Sequence, residues 1–406
     1  MWKLPDRLFR LKNPEATHQD DALKKHFTTF DLLMVGIGST IGSGVFVLTG
    51  LLARDIAGPY TPLCWLIAGV SSLLSAYSYA ELSWKYPESG SSYIYVFNVL
   101  GEMPAYISAA CLTLEYGISA SAVARSWGEK LDVYTQSTYG YQAVSNNNSL
   151  NIPAASLMLL CVIILYCGID LSKKTINFFT ILKIILVAFM ITAGFIAFNP
   201  KYLIDTGGLY NGSGEIGKDN INTTTEKSTT SGTITAIFAG ATTCFFGYVG
   251  YDEVCCLSGE CINRSSMTWA VFGTITTSMV LYILASISLL GLQSYHDINE
   301  DEGFSQAFIS QNTYNWKIIG EIVAIGELIA LPIVVLISFM AQPRLLYAMS
   351  KDNLMPKLFS NINKYGNLSQ SILLTGLIFS LLALIVPFTA LENMVSAGIL
   401  VNFNLT

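Results

Sequence analysis

The stretch GIGSTIGSGVF, Gly36–Phe46, lies inside an apolar run from about Phe30 to Ala53. Four glycines and three hydroxyl side chains stand where the middle of a membrane helix is expected. Glycine weakens helices, and a bilayer penalises every unpaired backbone group. Such a segment is tolerated at membrane depth only where it lines a cavity or is buried in protein. Helix packing is the competing reading, because Gly38-x-x-x-Gly42 is also a small-xxx-small motif. No strand–turn–helix context surrounds it, which excludes a nucleotide-binding glycine loop.

The whole chain agrees with a membrane setting. It has 406 residues, 52% hydrophobic and only 12% charged, with a mean hydropathy of +0.50. That is too apolar for a soluble protein of this size. No basic cluster is interleaved with aromatics, so nucleic acid is not an expected partner. The eight cysteines are scattered, mostly in apolar runs, and do not form a disulfide framework. Cys255, Cys256 and Cys261 have no histidine near them, so no metal site is expected and no cofactor is implied.

Apolar runs of about 20 residues read as spans at roughly 31–53, 61–82, 105–127, 153–170, 176–198, 233–256, 268–292, 318–341 and 370–389. A tenth begins near Leu391 and is cut at Thr406, so the chain is expected to be a piece of a longer protein. The aromatic segment 82–104 reads as a helix lying along the interface, with part of a long third span as the alternative. Alternate loops carry Lys and Arg in a two-to-one bias that places the N-terminus in the cytoplasm. The sequons at Asn147, Asn211 and Asn222 fall on the outside by this topology and are glycosylation candidates.

A second glycine-interrupted segment, FAGATTCFFGYVGYDEV at Phe238–Val254, opens the sixth span as the first opens span 1. Paired interruptions at matching positions are the sequence mark of a transporter built from two inverted repeats. The expected organisation is a cytoplasmic tail (1–29), a first repeat (30–200), an extracellular loop (201–232) and an incomplete second repeat (233–406). A break at Gly42-Ser43-Gly44 frees N–H groups at a positive helix end, which suits a carboxylate. The carbonyls near Thr40 and Ile41 suit an ammonium. A ligand carrying both groups, an α-amino acid, fits.

Four blocks carry a family resemblance: GIGSTIGSGVFVLTG, AELSWKYPESGSSYIY, CFFGYVGYDE and AQPRLLYAMSKDNLMP. They resemble the signatures of the amino acid–polyamine–organocation superfamily, most of all its cationic amino acid transporter family. The resemblance runs from about Thr28 to the end. It implies an all-α polytopic fold of the leucine-transporter type, five plus five helices with the first and sixth broken. It implies no enzyme activity. It places the substrate carboxylate on Gly42, Ser43 and Gly44 and the amine near Thr40 and Ile41. It makes Phe246 the aromatic cap, puts a carbonyl at Val249, and gives Tyr248, Gly250 and Tyr251 the pocket shape. Where members usually read GEE and then Asn-Pro, this chain has Gly259-Glu260-Cys261 and Asn263-Arg264.

Ionisable residues inside spans mark function by default. Lys183, in FFTILKIILVAF, is expected behind the first break, where it bonds freed carbonyls and takes the place of a sodium ion in sodium-coupled relatives; snorkelling to the cytoplasmic interface is the alternative. Glu115 and Asp252 are the acidic candidates for drawing in a cationic side chain or pairing with a buried cation, with a structural hydrogen bond as the alternative. Glu327 is a third intramembrane carboxylate; Arg344 and Lys351 are expected at the cytoplasmic face, on backbone or anionic lipid. The resulting expectation is sodium-independent uptake of cationic L-amino acids such as arginine, lysine and ornithine. Proton-linked transport of neutral amino acids or polyamines, and a sensor that binds without transport, stay open. The plasma membrane is expected, with a vacuolar or lysosomal membrane as the alternative. The 128–152 loop has no cysteine, so no obligatory glycoprotein subunit is expected.

Overall fold

A computed structural model describes residues 10, 11, 23, 25–42, 44–139, 150–204, 230–298, 303–311, 314–363 and 367–405. Ser43 and the three sequon asparagines, Asn147, Asn211 and Asn222, lie outside the described residues. The described chain is helical, with a single isolated bridge, Phe27 to Cys261. Among the described residues, six helices are long and apolar enough to cross a bilayer, or seven when one bent pair is counted as a single span.

That bent pair is the opening stretch. Helix α1 (Thr29–Thr40) and helix α2 (Gly44–Ile56) meet at 44°. A capping box starts α1: Asp31 N–H donates to Thr28 Oγ1 (3.3 Å), and Thr28 N–H donates to Asp31 Oδ2 (3.0 Å). Helix α2 winds as π turns over Gly44–Leu48 and Leu52–Ile56.

Helix α3 (Thr61–Lys85) follows, then α4 (Ser92–Val99) and α5 (Glu102–Thr113). The expected interfacial helix over 82–104 is not formed as such. Its first residues belong to α3, and α4 is only eight residues long, six of them buried. Gly90 (φ +130°) and Gly101 (φ +100°) turn the chain sharply on either side of it. The aromatics that suggested a membrane surface, Tyr93, Tyr95 and Phe97, are core residues.

A π turn at Leu114–Ile118 joins α5 to α6 (Ser119–Tyr139). Then come α7 (Ile152–Tyr166), α8 (Ile169–Ile196) and α9 (Thr230–Phe246). The second break separates α9 from α10 (Tyr251–Cys255). Helix α11 (Arg264–Leu292) packs along α3 and α1. After α12 (Gly303–Ile309), α13 (Tyr314–Lys351) runs well past the expected end near 341, despite Pro332 and Pro343 inside it. Proline at 332 removes the donor that would pair with Leu328 O, and the Trp127 indole N–H donates to that carbonyl instead (2.8 Å). Helices α14 (Ser369–Ile385) and α15 (Phe388–Leu405) complete the described chain.

The periphery presents Leu74, Phe178, Ile185, Trp269 and Leu377, as bilayer solvent allows. The centre holds the buried aromatics Trp65, Tyr79, Tyr248, Tyr251 and Tyr282.

Arg344 makes the expected backbone contact, but its charge is met by protein and not by lipid. It is buried and forks onto buried Glu260, with Nε and Nη2 donating to its two carboxylate oxygens (2.5 and 3.0 Å). Its Nη1 also donates to Met340 O (2.7 Å). Lys351 is exposed. The same end of the bundle is strapped by backbone: His26 N–H donates to Glu260 O (2.9 Å) and Ile262 N–H to Phe27 O (3.1 Å). Lys173 adds a bond to His26 O (3.1 Å) and an ion pair with Asp31. Glu327 pairs with Lys130.

Candidate functional site

The glycines of the first break divide by role. A Cβ on Gly36 would stand 2.1 Å from Thr274 Oγ1, and one on Gly38 2.5 Å from Thr180 Oγ1. Those two allow α11 and α8 to pack closely on α1. Gly44 serves a different contact: a Cβ there would lie 3.2 Å from Gly247 Cα, in the second break. The packing and backbone-approach readings therefore both apply, to different glycines of one motif.

Several bonds tie the two breaks together. Ser39 Oγ donates to Gly36 O and Gly250 O, each at 3.0 Å. Gly250 has φ +126°, and a Cβ there would meet Ser39 Oγ at 2.7 Å, so both conformation and space demand glycine. Thr40 Oγ1 donates to Gly36 O (2.9 Å) and shares a hydrogen bond with Ser278 Oγ (2.8 Å). The Tyr282 hydroxyl lies between Thr40 O (2.5 Å) and Gly247 O (2.9 Å), one carbonyl from each break.

Lys183 projects from α8 behind the first break and is 1% exposed. Its Nζ donates to Gly38 O (2.9 Å) and Ile41 O (2.6 Å). Ile41, at φ −74° and ψ 85°, has left the helix, which turns its carbonyl away from the helical ladder. Lys183 also lines an apolar notch of about 220 Å³ between α8 and α13, with Leu182, Leu186, Ile322 and Ile329.

The carbonyls near Thr40 and Ile41 are thus engaged. Ile41 O accepts from Lys183, and Thr40 O accepts from both Gly42 N–H (2.9 Å) and Tyr282. In the second break, Phe246 and Val249 are half-buried, and Val249 N–H donates to Phe246 O (3.2 Å). Tyr248 is fully buried, its hydroxyl donating to Trp65 O (2.8 Å). Trp65 packs between Tyr248 and Tyr282, with ring centroids 5.7 and 4.4 Å away.

Glu115 and Asp252 converge from distant sequence. Glu115 sits in the π turn between α5 and α6, and Asp252 in α10 just past the second break. Both are buried, as are Glu253 and Tyr116. The Tyr116 hydroxyl donates to Asp252 Oδ2 (2.8 Å), and Glu115 and Glu253 both interact electrostatically with Asp252. Three carboxyl groups so placed form a buried acidic cluster beside the second break. Among the described residues, no group of His, Cys, Asp and Glu has the arrangement of a metal site.

Sequence reading missed Tyr282, Ser278, Trp65 and Glu253. Tyr282 carried no signal, being one of 21 tyrosines with partners 242 and 35 residues away. Glu253, adjacent to Asp252 and charged within an apolar span, did carry one.

A family model described as amino acid permease matches residues 27–405. The chain belongs to the amino acid permease family. Among curated relatives, this permease is 32% identical over 411 residues to cationic amino acid transporter 4 of Mus musculus, covering 98% of this chain and 61% of that protein. It is 32% identical over 396 residues to the vacuolar cationic amino acid transporter 2 of Arabidopsis thaliana, covering 94% and 59%. It is 30% identical over 412 residues to the methylthioribose transporter of Bacillus subtilis (strain 168), covering 98% and 83%. The permease spans about three fifths of the length of the first two relatives. Among solved structures, MhsT in complex with L-phenylalanine superposes with a TM-score of 0.59 at 14% identity, covering 89% of this chain and 79% of that one. Mhp1, a nucleobase-cation-symport-1 family transporter, gives 0.57 at 11%, covering 92% and 75%. These likenesses establish the fold expected from the paired breaks: an integral, multi-pass leucine-transporter-type architecture of a transport family, not an enzyme family.

Proposed function

We propose that the permease carries cationic L-amino acids, such as arginine, lysine and ornithine, across the membrane without sodium. The observation that carries this reading is Lys183, whose ammonium bonds Gly38 O and Ile41 O behind the first break. A fixed protein cation there does the electrostatic work that a bound sodium ion does in sodium-coupled carriers of this architecture. The substrate carboxylate meets the N-terminal end of α2 at Gly42, Ser43 and Gly44, where the positive end of the helix dipole favours an anion, while Gly42 N–H itself stays on Thr40 O. The α-ammonium lies between the breaks, near Thr40, Ile41 and Val249, with Phe246 as the aromatic cover and Tyr248 and Gly250 shaping the wall. A cationic side chain is drawn toward the acidic cluster of Glu115, Asp252 and Glu253. The names of the mouse and Arabidopsis relatives support the cationic class.

The bilayer supplies the driving force. An inside-negative potential favours entry of a cation by about 2.3 kcal/mol per charge per 100 mV, so no coupling ion is required. The N-terminus is cytoplasmic in this reading, and no obligatory glycoprotein subunit is needed. The membrane is the plasma membrane, with a vacuolar membrane as the alternative that the Arabidopsis relative favours.

Competition binding to the purified protein tests the substrate class. Labelled arginine should be displaced by lysine and ornithine at concentrations at least tenfold lower than leucine or methylthioribose. Preferential displacement by leucine moves the assignment to a neutral amino acid carrier. Preferential displacement by methylthioribose moves it to the class named for the Bacillus relative.

A further inference from the structure

The Tyr282 hydroxyl has one proton and two acceptors. It lies 2.5 Å from Thr40 O and 2.9 Å from Gly247 O, with no exposure to solvent. These carbonyls belong to different broken spans, and the spans are close at the same place: a Cβ on Gly44 would lie 3.2 Å from Gly247 Cα and 3.3 Å from the Tyr282 hydroxyl. Tyr282 itself comes from a third element, α11, and its ring is wedged against Trp65 and Tyr248. The hydroxyl is therefore held at the crossing by packing, not by its own hydrogen bonds alone.

Thr40 O has no remaining capacity. A carbonyl oxygen has two lone pairs, and Gly42 N–H and Tyr282 O–H use both. An incoming ammonium reaches Thr40 O only by displacing one of these donors. Displacing Gly42 N–H would strand a backbone donor at membrane depth, a costly outcome. Displacing the hydroxyl frees an O–H that can rotate. An ammonium has three donors and can give Thr40 O and Gly247 O a proton each, where the hydroxyl has a single proton to share between them.

Resting on the amino acid reading above, we propose that the Tyr282 hydroxyl is a built-in substitute for the substrate ammonium. It joins the two breaks when no amine is bound and yields those carbonyls when one arrives. The carrier then has two closed forms, one bridged by substrate and one by Tyr282. The second form lets the carrier change sides unloaded. Tyr282 is a positioning residue in this scheme, and its hydroxyl sets how readily the unloaded carrier returns relative to the loaded one.

The test separates two fluxes in proteoliposomes. Exchange of labelled for unlabelled amino acid needs only loaded transitions, whereas net uptake into amino-acid-free vesicles needs an unloaded return. Tyr282→Phe keeps the ring and removes the hydroxyl. The expected result is a ratio of net uptake to exchange at least tenfold below the parent's. Equal loss of both fluxes would mark a structural role and overturn the inference, as would no change in either. A second measurement needs no loss of side chain: 3-fluorotyrosine placed at position 282, observed by fluorine NMR. Its resonance should move on saturation with arginine and stay still with the des-amino analogue 5-guanidinopentanoate. An unmoved resonance with arginine bound overturns the proposal. No exchange of any amino acid by the parent protein contradicts the amino acid reading itself, and the inference with it.

Discussion

Single atoms settle which side chains this permease can spare. Lys183 provides both donors seen at Gly38 O and Ile41 O, in a place where its ammonium is almost wholly buried. Lys183→Met removes those donors from buried carbonyls, at about 1–3 kcal/mol for each one left unsatisfied. Transport should fall below a tenth of the parent rate and the melting midpoint in detergent should drop. Arginine at 183 should not restore transport, because a planar fork does not fit where a compact ammonium bonds two carbonyls. Gly250 makes a second case. Its φ of +126° and the nearby Ser39 Oγ leave no room for a Cβ. Gly250→Ala should cost about 1–3 kcal/mol through backbone strain, lowering the thermal midpoint as well as transport. A variant with the parent's melting curve would show that this backbone is not held as described.

Elements are coupled through contacts that linear sequence does not announce. Arg344 and Glu260 are 84 residues apart, and the break-crossing pair Tyr282 and Thr40 are 242 apart. The buried Arg344–Glu260 fork sits beside the strap where residues 26–27 pair with residues 260–262. Removing one partner of a buried pair typically costs about 3–5 kcal/mol, because the other charge is left without compensation. Arg344→Gln should therefore loosen that end of the bundle. Cys261, buried and bridged to Phe27, is the reporter already in place. Its alkylation, mapped by mass spectrometry on folded protein, should accelerate at least tenfold in the variant. An unchanged rate would mean that the fork does not hold the strap. The contrast with the breaks is physical. Glycines and a lysine inside an apolar run are visible locally, because a bilayer makes them expensive. An arginine near a helix end looks interfacial until its buried partner is known. The segment 82–104 misled for a related reason: its aromatics suit a membrane surface and a protein core equally, and only the turns at Gly90 and Gly101 fold it inward.

At the scale of the whole molecule, the architecture was legible because both breaks carry the same mark at matching positions in the two halves. The site was legible as backbone but not as a network. The hydroxyl of Tyr282 and the gathering of Glu115, Asp252 and Glu253 arise only when distant spans meet. The function proposed above is that of a carrier whose central cation is its own Lys183 and whose driving force is voltage. The most direct measurement is uptake of labelled arginine and leucine by the permease in proteoliposomes, with an imposed inside-negative potential, in matched sodium and choline buffers. Arginine uptake should rise with the potential, exceed leucine uptake, and be equal in the two buffers. Strict dependence of arginine uptake on sodium would contradict the role given to Lys183, and with it the central claim.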